Sequence, residues 1–287
     1  STGGNLWYNN TNWLSANPAN TWHGLRVSGV NVLGIDLGFN NLIGGVPGEI
    51  SQLTRLISLQ LRGNKINNVH PGAGNMPSLE LLDLAQNEFT SFQTAITNFT
   101  NLRWLYLDDN KITGTIPESI GDLNKLWDLY LSDNQLEGTL PASMGNMNEL
   151  SWLYLNNNNL SGPLPSAMGN ISTLREIYID NNRFHHAHIE EVMNWQNYPY
   201  ISFLKYDPQQ LVGLEKTIFA QEGNSVELLI DNYTVSNNDR YQWYKDDVPI
   251  DGATSATLEL PNVTMANDGN YYCIINNIVT SSLTLQS

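Results

Sequence analysis

A nine-residue pattern, LxxLxLxxN, returns seven times in fixed register, and no other feature of the chain constrains its fold as tightly. The matches begin at Val32, Ile35, Leu37 and Asn40 and continue at Leu56, Leu59, Leu61 and Asn64 and at Leu79, Leu82, Leu84 and Asn87. They resume at Leu102, Leu105, Leu107 and Asn110, at Leu126, Leu129, Leu131 and Asn134, at Leu150, Leu153, Leu155 and Asn158, and at Leu174, Ile177, Ile179 and Asn182. From Asn40 to Asn182 the asparagines keep a nearly constant period, varying by a single position. A unit this short cannot close a core alone, so each must bury its apolar face against its neighbours. Two apolar residues with one polar residue between them point to the same side of a strand, here inward. The asparagine then turns the chain, and its amide is expected to satisfy backbone groups of adjacent turns in the dry interior. The pattern therefore predicts a solenoid over residues 31–182 with a parallel sheet along one face, and it gives the asparagines a structural role.

The other half of the repeat carries a second signature. TGTIPESIG at 113–121, EGTLPASMG at 137–145 and SGPLPSAMG at 161–169, with Gly44-Gly45-Val46-Pro47, resemble the GxIPxxIG half of plant-type leucine-rich repeats. The resemblance implies a leucine-rich-repeat solenoid of the α/β class, its parallel β-sheet on the concave face. After Asn64 and Asn87 the chain carries Val69-His70-Pro71 and Phe92-Gln93-Thr94 instead, so the convex side is expected to be irregular there. LWYNNTNWL at 6–14, followed by Trp22-His23-Gly24, resembles the N-terminal cap of such proteins and assigns residues 1–30 to it. Plant members usually carry a cysteine pair in that cap, whereas this chain has one cysteine in all, Cys273. That departure points to secreted bacterial relatives, in which plant-type repeats are often followed by immunoglobulin-like modules. Such caps tend to open with a short helix, and a chain that starts at Ser1 without Met reads as trimmed.

Beyond Asn182 the pattern stops. Residues 183–212 hold His185, His186, His188, Trp195, Tyr198, Tyr200 and Tyr206, and an atypical aromatic segment at the end of a solenoid reads as its C-terminal cap. The histidine run suggests either a metal site or a surface or cap role; with no partner carboxylate in evidence, the second is expected. From Gly213 to the end at 287 the chain alternates in short strands at 225–230, 241–244 and Thr257–Leu260. Tyr271 stands two residues before Cys273, a spacing that resembles the tyrosine corner of immunoglobulin folds. This segment is expected to be an all-β immunoglobulin-like sandwich. Ile230 occupies the place of the first disulfide cysteine, so Cys273 should pack as a small buried hydrophobe beside Trp243 and Ile230.

Composition narrows the function by exclusion. Among 287 residues, 13 Lys and Arg face 28 Asp and Glu, a net charge of −15, and the cations form no cluster along the sequence, so no nucleic-acid partner is expected. No apolar run approaches the roughly 20 residues of a membrane span. The chain carries no GxSxG, no HExxH, no glycine-rich phosphate loop and no zinc spacing, so neither an enzyme nor a cofactor is expected.

What remains is a surface. The residue between the two core positions of each strand should face solvent on the concave side, giving Asp36, Gln60, Asp83, Tyr106, Tyr130, Tyr154 and Tyr178. Two residues earlier stand Trp104, Asp128, Trp152 and Glu176; two later stand Asp108, Ser132, Asn156 and Asp180. Trp104, Tyr106, Asp108, Asp128, Tyr130, Trp152, Tyr154, Asn156, Glu176, Tyr178 and Asp180 are thereby the candidate ligand-binding residues, an aromatic ladder bordered by carboxylates. Cross-strand stacking accounts for part of a tyrosine column but poorly for two tryptophans on the same exposed face. A protein or peptide bearing Lys or Arg would meet ring faces and carboxylates. A polysaccharide would stack on the rings, and a passive adhesin or spacer, with the sandwich as its stalk, would need neither. The resemblance favours an extracellular protein or peptide partner and a secreted or cell-surface location.

Overall fold

Residues 6–74, 76–195, 201–213 and 215–286 are described by a computed structural model, with the side chains at 191 and 193–195 left aside. The seven pattern matches form seven parallel strands in the expected register. They are Asn31–Asp36, Ser58–Gln60, Leu81–Asp83, Trp104–Tyr106, Asp128–Tyr130, Trp152–Tyr154 and Glu176–Tyr178. Leu105, Leu129, Leu153 and Ile177 pair with one another across neighbouring strands and are fully buried. Opposite them, each turn closes on a short 3-10 segment such as Glu118–Asp122, Ala142–Asn146 or Ser166–Asn170, entered from Pro117, Pro141 or Pro165. Proline, with its fixed φ and missing N–H, suits that entry.

The asparagines form the ladder the pattern implied. Asn158 donates from Nδ2 to the carbonyls of Leu131 at 2.9 Å and Leu155 at 3.1 Å, and its Oδ1 accepts the N–H of Leu136 at 2.9 Å. One amide thus ties two successive turns together. Asn64, Asn87, Asn110, Asn134 and Asn182 repeat the arrangement. The residue before each ladder asparagine is left-handed: Phe39, Gly63, Gln86, Asp109, Asp133, Asn157 and Asn181 have φ between 53° and 69°. Asn, Asp and Gly reach that region most readily, and they fill it everywhere except at Phe39 and Gln86.

Both ends of the stack are closed, by different means. At the N-terminal end Leu25–Ser28 adds an antiparallel strand. Trp13 packs between Trp7 and Trp22, with ring centroids 5.1 and 5.3 Å away. Asn40, the first rung, has no preceding repeat and instead exchanges hydrogen bonds with the backbone of Asn9.

At the other end the structure carries the ladder one turn beyond the sequence pattern. Phe203–Lys205 joins the sheet in parallel beside Glu176–Tyr178. Gln209 takes the place of the asparagine: its Nε2 donates to the carbonyls of Ile179, at 2.9 Å, and Tyr206, and its Oε1 accepts the N–H of Phe184 at 3.1 Å. Phe203–Lys205 and Gln209 therefore form one further, degenerate repeat. The helix before it, His186–Trp195, was not legible from the pattern. Tyr198 and Tyr200, and the side chain of Trp195, lie outside the described residues. Gln209→Ala should speed amide hydrogen exchange at Phe184 selectively, leaving Leu136 protected; equal exchange at both would contradict the eighth rung.

The convex side is irregular in one of the two places expected. After Asn87 a single bridge, Ser91 to Thr113, replaces a strand. After Asn64, however, Lys65–Val69 pairs regularly with Ile43–Val46 apart from one register shift at Gly44 and Gly45. The core position Ile66 and the β-branched Val69 are buried there and sustain the strand without the IP motif.

Residues 215–286 form two antiparallel sheets. One pairs Val226–Leu229 with Thr257–Leu260. The other runs in the order Val248–Pro249, Asp239–Lys245, Tyr271–Asn277, Thr284–Gln286. Trp243 stands opposite Cys273 in the register, both are buried, and Ile230 packs against the same core. Burial pushes the Cys273 thiol up to about 11, which leaves it protonated and unreactive at neutral pH. Tyr271 donates its hydroxyl to the carbonyl of Asn267 at 2.8 Å.

The histidine run joins this unit to the solenoid; of the surface or cap role expected, the surface half is corrected, because His185, His186 and His188 are all buried. His186 contacts the carbonyl of Ile275 through Nε2 at 3.2 Å and Thr280 Oγ1 through Nδ1 at 2.6 Å. Since a carbonyl only accepts, Nε2 carries the proton and Nδ1 accepts, a neutral ring. His185 Nδ1 accepts the N–H of Thr234 at 2.9 Å. Glu190, on the same helix, accepts from Ser236 and from Asn238 and Asn277. No cluster of His, Cys, Asp and Glu suited to a metal exists among the described residues.

Candidate functional site

Parallel strands in register place equivalent residues of successive repeats about 4.8 Å apart, so the concave face is a set of columns. In the central column the tyrosines stack. Tyr130 and Tyr154 lie 4.1 Å apart at 18°, and Tyr154 and Tyr178 lie 4.3 Å apart at 12°. Tyr106 meets Tyr130 edge-on at 5.0 Å, and Phe203 closes the far end 5.1 Å from Tyr178. The rings are half-buried in one another, so their outward surface is edges and hydroxyls. Tyr106 donates to Asp128 at 3.1 Å and Tyr154 donates to Glu176 at 3.2 Å. Desolvation, aided by the neighbouring Asp128, drives the Tyr106 hydroxyl well above its ordinary value, and desolvation does the same for Tyr154. Both remain donors at any physiological pH.

In the adjacent column Trp104, Asp128 and Trp152 are direct register partners on three consecutive strands. Trp152 is 36% exposed and stacks on no ring among the described residues. Trp104 packs edge-on against Trp127 at 5.6 Å. Between them Asp128 uses Oδ2 for Tyr106, while its Oδ1 is buried with no hydrogen-bond partner among the described residues. Desolvation raises its carboxyl pKa, and the Tyr106 bond partly offsets the rise.

The third column is closed rather than open. Asp108 pairs with Arg62 at 3.1 Å, and desolvation still raises its pKa against that guanidinium. Asp180, expected on the solvent side, is 1% exposed: Lys205 Nζ lies over it at 2.8 Å. The carboxylate lifts the Lys205 pKa in turn. Asn156 and Glu176 remain half-buried in reach of solvent. Sequence reasoning missed Trp127, Phe203 and Lys205. Phe203 and Lys205 lie in the unrecognised eighth turn, and Trp127 sits one residue before its strand, where the inward–outward alternation no longer applies.

Columns of this kind on a nine-stranded sheet (among the described residues) define a leucine-rich-repeat solenoid, and its repeats are of the plant receptor-like type. The Leucine rich repeat family profile matches residues 54–112 and 77–136, and a second Leucine Rich Repeat profile matches 149–171. The chain is 38% identical over 88 residues to the receptor-like protein kinase HAIKU2 of Arabidopsis thaliana, covering 29% of this chain and 9% of that protein. Among solved structures it is similar to the plant peptide hormone receptor RGFR1 in complex with RGF2. That match has 29% identity and a TM-score of 0.57, over 62% of this chain and 28% of the other. It is also similar to the Arabidopsis receptor kinase HAESA ectodomain with an IDA peptide hormone ligand, at 25% identity and a TM-score of 0.54, over 69% and 38%. The chain thus spans about a tenth of the curated relatives it matches, and the kinase matches cover repeat regions only. These structural neighbours are ligand-binding ectodomains. No described helix is long and apolar enough to cross a membrane.

Proposed function

We propose that this chain is an extracellular recognition module that receives a protein or peptide segment carrying Lys or Arg on its concave face. The observation that carries the reading is the Trp104–Asp128–Trp152 row. The two tryptophans stand two strand spacings apart, roughly 10 Å, with a carboxylate between them. An ammonium or guanidinium group placed there lies within the roughly 6 Å cation–π range of a ring on either side. It would also lie beside the Asp128 carboxylate, the one charged side chain in the row. The peptide complexes of RGFR1 and HAESA support a peptide ligand for this fold. The polysaccharide reading draws less support, because face-to-face stacking of Tyr130, Tyr154 and Tyr178 occupies the ring faces that sugars would need.

The same reading treats residues 213–287 as an immunoglobulin-like domain, on the Trp243–Cys273 pairing and the Tyr271 corner. It treats the protein as a secreted or cell-surface product of the bacterial kind. Selection of a random displayed peptide library on the folded protein should enrich sequences with Lys or Arg flanked by apolar residues. Enrichment without a basic bias, or enrichment that persists on the Asp128→Asn, Trp152→Ala double variant, would count against this face.

A further inference from the structure

A second surface lies on the flank of the solenoid, at the N-terminal ends of the concave strands. Two columns run along it. Three residues before successive strands stand Arg55, Ser78, Asn101 and Lys125; one residue before stand Ile57, Glu80, Arg103 and Trp127. Parts of both columns line a cleft of about 520 Å³. Arg55, Arg103 and Lys125 form no cluster along the sequence, because they belong to different repeats; the solenoid brings them to one wall.

The wall is built from ordered polar groups. Lys125 Nζ donates to Asn101 Oδ1 at 2.6 Å, and Asn101 Nδ2 donates to the carbonyl of Pro77 at 2.7 Å. Ser78 donates to the carbonyl of Thr54 at 2.9 Å. Arg103 lies 4.9 Å over the exposed ring of Trp127 and 3.9 Å from Glu149. Arg55 is exposed and has no hydrogen bond or ion pair among the described residues. Past Lys125 a groove follows, lined by Thr97, Asn98, Asn124 and Asn148 and by one carboxylate, Asp122.

We infer that this flank binds an acidic polysaccharide, independently of the peptide reading of the concave face. Arg55 and Lys125, three strand spacings or roughly 15 Å apart, would take carboxylate or sulfate groups several sugars apart on one chain. The amides and hydroxyls of the groove match sugar hydroxyls, and Trp127 supplies a ring beside them. Glu80 would accept hydrogen bonds from sugar hydroxyls, which the backbone of single-stranded DNA lacks, whereas the net charge of −15 opposes every polyanion alike.

Affinity electrophoresis and titration calorimetry with heparin, alginate, neutral dextran and single-stranded DNA test this. Heparin or alginate should bind, separating sulfate from carboxylate preference, with dextran inert and DNA at least ~10-fold weaker. Arg55→Ser with Lys125→Ser should weaken the polysaccharide by at least ~10-fold, a loss of about 1.4 kcal/mol, and raised salt should weaken it in wild type. Arg55→Glu alone, at an exposed position that cannot disturb the core, should weaken it too. Trp152→Ala on the concave face should leave it unchanged. Absence of binding to both polyanions, DNA binding as tight as either, or indifference to the Arg55 and Lys125 substitutions would overturn the inference.

Discussion

Asn158→Ala should destabilise the solenoid by about 3 kcal/mol or more, whereas Asn156→Ala, two residues earlier on the concave face, should stay within about 0.5 kcal/mol of wild type. The difference lies in what each amide holds. Asn158 satisfies the carbonyls of Leu131 and Leu155 and the N–H of Leu136, all in the dry interior. Alanine leaves three backbone groups without that partner, and each buried unsatisfied group costs about 1–3 kcal/mol. Neighbouring turns in a solenoid stabilise one another, so the damage should spread. Urea unfolding would give the loss, and hydrogen exchange should show weakened protection at Leu136 and in the turns on either side. An Asn158→Ala protein as stable as the Asn156→Ala protein would show that the ladder only decorates a core held by leucine.

Acidification from pH 7 to pH 5 should cost about 1–2 kcal/mol at the junction between the solenoid and the C-terminal sheets. Burial, reinforced by neighbouring His188 and His186, lowers the His185 pKa to about 4, and burial lowers those of His186 and His188 as well. The unfolded chain therefore binds protons below about pH 6.5 that the folded chain refuses. The neutral rings contribute fully above that pH, and their contribution is lost as pH falls towards 4. Each tenfold change in proton affinity is worth roughly 1.4 kcal/mol. Asp239 opposes the depression weakly. Glu190 titrates below the same window: its hydrogen bonds to Ser236, Asn277 and Asn238 hold its carboxyl below the ordinary value against desolvation, so its contribution falls only below about pH 4.5. His185→Asn retains an acceptor for the Thr234 N–H but takes up no proton. Thermal unfolding of that variant should be less sensitive to pH between 7 and 5 than that of wild type. Identical pH dependence would place the acid-sensitive groups elsewhere.

The sequence revealed most where its period was strictest. Leu129, Leu153 and Ile177 face inward because a strand alternates, and the asparagine spacing alone fixed their register. The eighth turn escaped because Gln209 replaces asparagine and follows Asn182 at a longer interval than separates any other two rungs, with a helix inserted between them. Once the longer side chain is allowed for, Ile201, Leu204, Tyr206 and Gln209 do follow the pattern. Burial of Asp180 escaped with it, since the lysine that covers it belongs to that turn. Burial of the histidines was not legible for a different reason: Thr234, Ile275 and Thr280, their partners, are 49 to 94 residues away on another unit. Nothing local marks a side chain as buried by a distant one. On the concave face the columns were legible, but the division of labour within them was not. The tyrosines mainly support one another, and the tryptophan row is left open.

That row bears the central claim, and tryptophan fluorescence tests it most directly. Titrating the folded protein with a library-selected peptide should give a saturable change that weakens at least ~10-fold when its Lys or Arg is replaced by norleucine. Asp128→Asn should weaken the same peptide to a similar degree and flatten its salt dependence. Equal binding of the norleucine peptide, with Asp128→Asn indistinguishable from wild type, would contradict the claim.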